Sequence, residues 1–350
     1  MAQIRLGIGT SHAPQLGTPP DQWGLRVQAD RANPALVFRG KDYPFAELRD
    51  LRGAAFAAEC APEVWRARHA ASHAAIDELG RIVREADLDV LVIVSSDHKE
   101  TFTDELLPQF AVYWGDAVEH MPLTQEALDS MPPGVAIAEV ENHPEEPTTR
   151  RGHSALALHI IKQTSRAGFD PAASRELPAG EYNDHGIPHG WGFVIQSILG
   201  GGTDIPAVIP VFINTFYEPN PPSAKRCYQF GLALGEAIRS FPGDLKIGLV
   251  ASGGLSHFVI DEELDRGFLE ALRTKDAGFF TGLEDEVLRS GTSEYRSWIT
   301  VAGALAESPL SAEVVSYQPC YRSEAGTGCA MAFVAWRGWE ADPQSDRPGA

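Results

Sequence analysis

Apolar residues follow two rhythms along the chain. Short unbroken runs, Ile4 to Ile8, Leu88 to Val94, Ala207 to Ile213 and Ile247 to Val250, are bounded by turn-forming or polar residues. Runs of that length predict buried strands. The longer stretches Glu63 to Ala86 and Ser154 to Ala167 space Ala, Leu and Ile so that one helical face is apolar. Strands alternating with helices predict an α/β fold: one large domain over residues 1–340, with a mostly buried central mixed sheet flanked by helices and an active site at the strand ends. Strand order stays open at this level, and no repeat of fixed period is present.

The rhythm breaks in two places. Residues 17–50 and 120–152 are rich in proline and weakly periodic, as expected of long loops that act as lids or binding segments or are disordered. Residues 341–350 carry no apolar anchor and are expected to form a flexible tail, with no separate C-terminal domain. Gly200, Gly201 and Gly202 lack the Gly-Lys-Ser/Thr continuation of a phosphate loop and read as a turn.

Composition narrows the classes of function. The 350 residues are 43% hydrophobic and 22% charged, an ordinary globular balance. A formal charge of -19 argues against nucleic acid and anionic membrane surfaces as partners. It would also disfavour an anionic substrate unless local Arg or Lys reverses the field. The N-terminus has no basic region followed by an apolar one, and no apolar run approaches the ~18 residues of a membrane span, so a cytoplasmic protein is expected. Cys60, Cys227, Cys320 and Cys329 show no C-x-x-C spacing and are expected to be reduced thiols.

The candidate chemistry sits where strands end. His12, His98 and His257 each stand just past an apolar run, where an open α/β sheet usually has its ligand crevice. One such histidine would most often be structural; three together point to a site. Glu294 is the candidate carboxylate. It lies after Gly291, with Thr292 or Ser293 able to cap a helix running on to Leu305, although an acid there could equally complement the helix dipole in solvent. Two histidines and a carboxylate on one face of a metal leave positions open for substrate and O2, as in non-haem Fe(II) oxygenases. Zn(II) with an activated water fits the same donors, and spacing alone does not choose.

Several motifs occur in order: Gly9, Thr10, Ser11, His12, Ala13 and Pro14; Asp97 and His98 followed by Phe102; Asp184, His185 and Gly186; Pro210 to Asn214; Gly253, Gly254, Leu255, Ser256 and His257; and Glu294 four residues before Trp298. Together, from about Ile4 to Leu305, they resemble the class III extradiol ring-cleavage dioxygenases, the family of the protocatechuate 4,5-dioxygenase catalytic subunit and of gallate and 3-O-methylgallate dioxygenases. The resemblance implies that His12, His98 and Glu294 bind Fe(II), that His257 is the acid/base residue, and that His185 lines the region of O2 and the substrate hydroxyls. It implies a vicinal-diol aromatic substrate opened beside its hydroxyls with O2. The stretches from Gly9 to Gln15 and from Tyr317 to Gly328 resemble most the enzymes of lignin-derived acids such as gallate; a hydroxypyridone would need the same metal site.

His189 is near enough to His185 in sequence to reach the same pocket. His69, His73 and His159 are expected to be packing or surface residues, and His120, His143 and His153 to be solvated. Asp97 and Asp184 either orient the neighbouring imidazoles or cap turns. Protocatechuate-cleaving members use a small helical subunit, and gallate-cleaving relatives a fused equivalent. Neither is recognisable here, so residues 17–50, leaving His12 directly and carrying Trp23, Phe38, Tyr43 and Phe45, are expected to close over the pocket. A homo-oligomer is expected. A zinc hydrolase and a non-catalytic metal-binding or interaction protein are the competing classes.

Overall fold

The computed structural model describes residues 1–131, 134–180 and 184–338. Nine strands form the main sheet: β1 (Gln3–Thr10), β2 (Val90–Ser96), β3 (Phe110–Tyr113), β4 (Ala172–Ser174), β5 (Ala207–Ile213), β6 (Lys246–Ser252), β7 (His257–Val259), β8 (Ser311–Tyr321) and β9 (Thr327–Arg337). Their order is β7-β9-β1-β6-β2-β5-β3-β4, with β8 also paired to β9. The central four, β1, β6, β2 and β5, run parallel, while β9 pairs antiparallel with β1, β7 and β8. The mixed α/β sheet expected from the apolar runs is the one observed. The runs lack polar alternation because helices cover both faces.

The two faces use alternate residues of the same strands. Val90, Val92 and Val94 join one core with helices α2 (Ser154–Arg166), α3 (Ala224–Arg239), α4 (Glu262–Thr274) and α5 (Tyr295–Leu305). Leu91 and Ile93 join the other with α1 (Pro62–Glu85) and the segment from His189 to Ile198. Helix α5 is buried along its whole length. It lies against α3 at a contact only small residues permit: a Cβ at Gly231 would stand 2.0 Å from the Thr300 carbonyl oxygen, and one at Gly303 would stand 2.4 Å from that of Tyr228. This packing fixes the start of α5, and with it Glu294.

Several expectations need correction. Residues 17–50 are not a loop: they hold a short helical stretch (Pro20–Arg26, then Val27–Ala32), a hairpin (Leu36–Phe38 with Lys41–Tyr43) and the helix Phe45–Arg52. Residues 120–152 likewise contain the helices Gln125–Ser130 and Ala136–Glu139 and the strand Thr148–Arg151, which pairs with Ala117–His120. Their periodicity was hidden because each element is only a turn or two long. His120 and His143 are buried, not solvated. His153 is half-buried and accepts from the Leu156 N–H, capping α2. Neither Thr292 nor Ser293 caps α5; the Thr292 hydroxyl instead donates to the His257 carbonyl and accepts from its N–H. All four cysteines are free. Residues 341–350 lie outside the described residues.

Candidate metal centre

The four parallel strands end on one side of the sheet, and residues just beyond three of them, β1, β2 and β6, line the candidate site. β1 ends at Thr10, two residues before His12; β2 ends at Ser96, two before His98; β6 ends at Ser252 and leads through Gly253 and Gly254 to His257. His98 and Lys99 leave β2 in the left-handed region (φ 51° and 63°), which costs of order 1–3 kcal/mol per residue and is typical of functional bends. Glu294 ends the 3-10 turn Ser290–Glu294 that opens into α5. That turn lies flush on His257, since a Cβ at Gly291 would stand 2.1 Å from its ring.

These residues converge. Glu294 Oε1 is 2.8 Å from His98 Nε2 and 3.4 Å from His12 Nε2, and Glu294 Oε2 is 3.7 Å from His257 Nε2. Oε2 also accepts the Gly254 N–H. Burial alone would raise the Glu294 carboxyl, but the imidazoles of His12, His98 and His257 hold it well below its ordinary value. His12 and His257 are both lowered, burial being the largest cause.

Neighbours set the tautomers. The Ser252 hydroxyl donates its only proton to the Gly190 carbonyl at 2.6 Å, so at 2.9 Å it accepts from His12 Nδ1–H. The lone pair of neutral His12 is therefore on Nε2, which is buried, has no hydrogen-bond partner and faces Glu294. His257 Nδ1 donates to the Leu255 carbonyl at 2.7 Å, leaving its lone pair on Nε2 as well. The 3.4 Å between His12 Nε2 and Glu294 Oε1 is longer than a charge-assisted hydrogen bond and wide enough for two donors of one ion, whereas His98 at 2.8 Å is hydrogen-bonded to the same oxygen. An orphaned imidazole nitrogen, a second imidazole and an ionised carboxylate are a donor set that fits a divalent metal.

His189 belongs to this cluster. Its ring packs 4.9 Å from that of His12 and 5.3 Å from that of His98, and the three rings present nitrogens within 4.8 Å of one another. Burial would lower His189, but Glu100 and Glu139 carry it up to about 10. His189 Nδ1 and backbone N–H both bond to Glu100. His185 stands apart: its side chain is 65% exposed, and its contacts run to the Leu177 carbonyl and to Asp184. Asp97 caps the turn after His98, accepting from the Thr101 and Phe102 N–H groups, and burial pushes it up to about 7. Residues 17–50 pack beside the site through Leu36, Phe45 and Leu48 against Val259, and through Arg39 on Asp261. Trp23 packs instead on Trp65 and His69 of α1.

Sequence reasoning missed Ser252, Glu100, Glu139 and His143. Only the i, i+4 spacing of Glu139 and His143 and the closeness of Glu100 to His98 carried a signal.

Residues 63–330 match the family model described as the catalytic LigB subunit of aromatic ring-opening dioxygenase. The chain belongs to this family, which is the class III extradiol family its motifs resemble. Among curated relatives, it is 34% identical over 129 residues to a gallate dioxygenase of Pseudomonas putida (35% of each chain). It is 27% identical over 179 residues to a 2,3-dihydroxyphenylpropionate/2,3-dihydroxicinnamic acid 1,2-dioxygenase of Comamonas testosteroni (50% of this chain, 45% of the relative). An enzyme of the latter name from Burkholderia vietnamiensis aligns at 23% over 318 residues, 74% of this chain and 90% of the relative. The chain thus spans between a third and a half of the length of the first two. Among the described residues, no helix is long and apolar enough to cross a membrane.

Proposed function

We propose that the chain is a non-haem Fe(II)-dependent extradiol dioxygenase that opens a vicinal-diol aromatic ring, with a gallate-type acid as the preferred substrate class. The observation that carries this reading is the orphaned His12 Nε2 facing the ionised Glu294 beside His98, inside a chain of the ring-opening family. His12, His98 and Glu294 would hold the metal. Fe(II) held there would bind the substrate's ring oxygens and O2 together and supply the redox chemistry of ring opening.

The chain's own groups do the rest. Ser252 fixes the His12 tautomer and so presents Nε2 to the site. Gly254 N–H holds Glu294 Oε2, leaving Oε1 toward the two histidines. His257, whose Nδ1–H is tied to the Leu255 carbonyl, offers Nε2 to accept a phenolic proton and return it to the product. His189, wedged against His12 and His98, orients substrate, while His185, exposed at the rim, is left without a part in the reaction. Residues 17–50, packed on the strand that begins at His257, exclude water from the reacting oxygens.

The test is O2 uptake by anaerobically purified protein reloaded with Fe(II) or Zn(II), on gallate, 3-O-methylgallate and 2,3-dihydroxyphenylpropionate. Uptake with Fe(II) alone is the expected result. Turnover of these substrates by the Zn(II) form under argon would overturn the dioxygenase reading.

A further inference from the structure

A second group of donors lies behind the first, on the far side of His189. Glu100, Glu139 and His143 are all buried and present ligand atoms within 4.8 Å of one another. Glu139 and His143 come from the excursion between Ala117–His120 and Thr148–Arg151, and Glu100 from the turn after β2. His143 Nδ1 donates to the Met121 carbonyl at 2.9 Å, so the lone pair of the neutral ring is on Nε2. That nitrogen is buried, has no hydrogen-bond partner, and stands 3.5 Å from Glu139 Oε1.

Two acceptors face each other at that point. A charge-assisted N–H···O bond would draw them to ~2.7–2.9 Å. A tetrahedral cation with donors at ~2.0–2.2 Å would hold them ~3.3–3.6 Å apart, and 3.5 Å falls within that interval. The charge balance points the same way. His189 bonds to Glu100 and lies 3.8 Å from Glu139 Oε1, so a single imidazole is shared between two buried carboxyl groups. Burying an uncompensated carboxylate is costly, and a bound cation removes the cost.

We propose that Glu100, Glu139 and His143 form a second divalent-cation site, taking Zn(II) or another transition-metal ion suited to imidazole and carboxylate. The site is separate from the centre at His12, His98 and Glu294 and borders it at His189, whose ring and backbone N–H are both held by Glu100. Its occupancy fixes Glu100 and thereby the orientation of His189.

The experiment is calorimetric titration of the metal-free full-length chain with Zn(II), with bound metal measured by elemental analysis. Wild type is expected to take two equivalents, and Glu139→Gln, His143→Gln and His12→Ala one each. The double variant His12→Ala with Glu139→Gln is expected to take none. One equivalent in wild type, lost in His12→Ala and kept in Glu139→Gln, would overturn the second site. If Glu139→Gln and His143→Gln do not fold, as read by circular dichroism, His12→Ala decides alone: one retained equivalent supports the site and none overturns it. Two equivalents in His12→Ala, falling to one when Glu139→Gln is added, would support this site while removing the first.

Discussion

The two donor clusters share a chemistry but not an origin. His12, His98 and His257 follow long, buried, parallel strands, so their positions are set by a sheet whose register is specified over seven or eight residues per strand. Glu139 and His143 sit on a four-residue helix and the turn beyond it, in an excursion that touches the main body at points such as the Thr18 hydroxyl bond to the Gly134 carbonyl. Rigid elements hold catalytic geometry within tenths of an ångström more reliably than connecting segments do. On the proposed function, the reaction belongs to the strand-end cluster and an orienting duty to the other.

The largest effect expected is at the strand ends. His12→Ala, His98→Ala and Glu294→Ala should each lose Fe(II) and all ring-opening activity, by metal analysis and O2 uptake. His257→Ala should keep its iron while kcat falls on the order of 10²–10⁴-fold. Loss of iron in His257→Ala would erase the division of roles between the four residues.

Next comes the tie between residues 17–50 and the C-terminal hairpin. Asp30 pairs with Arg322 through two 2.7 Å bonds and also accepts the Thr327 hydroxyl, all buried. Removing one member strands a buried charge, so Asp30→Ala should cost about 3–5 kcal/mol in denaturant unfolding. A cost below 1 kcal/mol would mean that this segment is held elsewhere.

Gly231→Ala forces α3 from α5 and should destabilise by about 1–3 kcal/mol, with weaker metal retention because Glu294 rides on α5. Ser252→Ala is a finer probe. It should weaken metal binding about 10–100-fold through the His12 tautomer, while costing only about 1 kcal/mol of stability. Equal loss in both would make Ser252 a packing residue.

The smallest effect expected is a change of slope with pH. Burial raises the Asp265 carboxyl to about 6 against the hydrogen bonds from Tyr295, Tyr317 and Ser256, which lower it. The folded state thus holds this proton more tightly than the unfolded chain. Its contribution is full below the ordinary value of 3.8 and is lost as pH rises through about 6. Asp265→Asn should flatten stability across that window, as followed by thermal melting from pH 4 to 7.

What was legible in the sequence follows the same division. The apolar runs located β1, β2, β5 and β6 to within a few residues, and the histidines beyond them marked the site. The C-terminal hairpin was not foreseen. β9 is rich in small residues, with Gly328, Ala330, Ala332 and Ala335, and β8 is mostly half-exposed, so neither shows a clear period. His120 and His143 were expected in solvent because proline-rich surroundings read as loop. Their burial depends on short elements whose order comes from tertiary contact and not from local propensity. His189 was recognisable only as a neighbour of His185, yet it is His189 that packs on His12 and His98.

On the proposed function, both atoms of O2 enter a ring cleaved at the centre formed by His12, His98 and Glu294. Mass spectrometry of the product formed by Fe(II)-loaded protein from gallate under 18O2 addresses it directly. Two 18O atoms per ring-opened product are expected from wild type and no product from Glu294→Ala. A product carrying oxygen only from water, or undiminished turnover by Glu294→Ala, would contradict it.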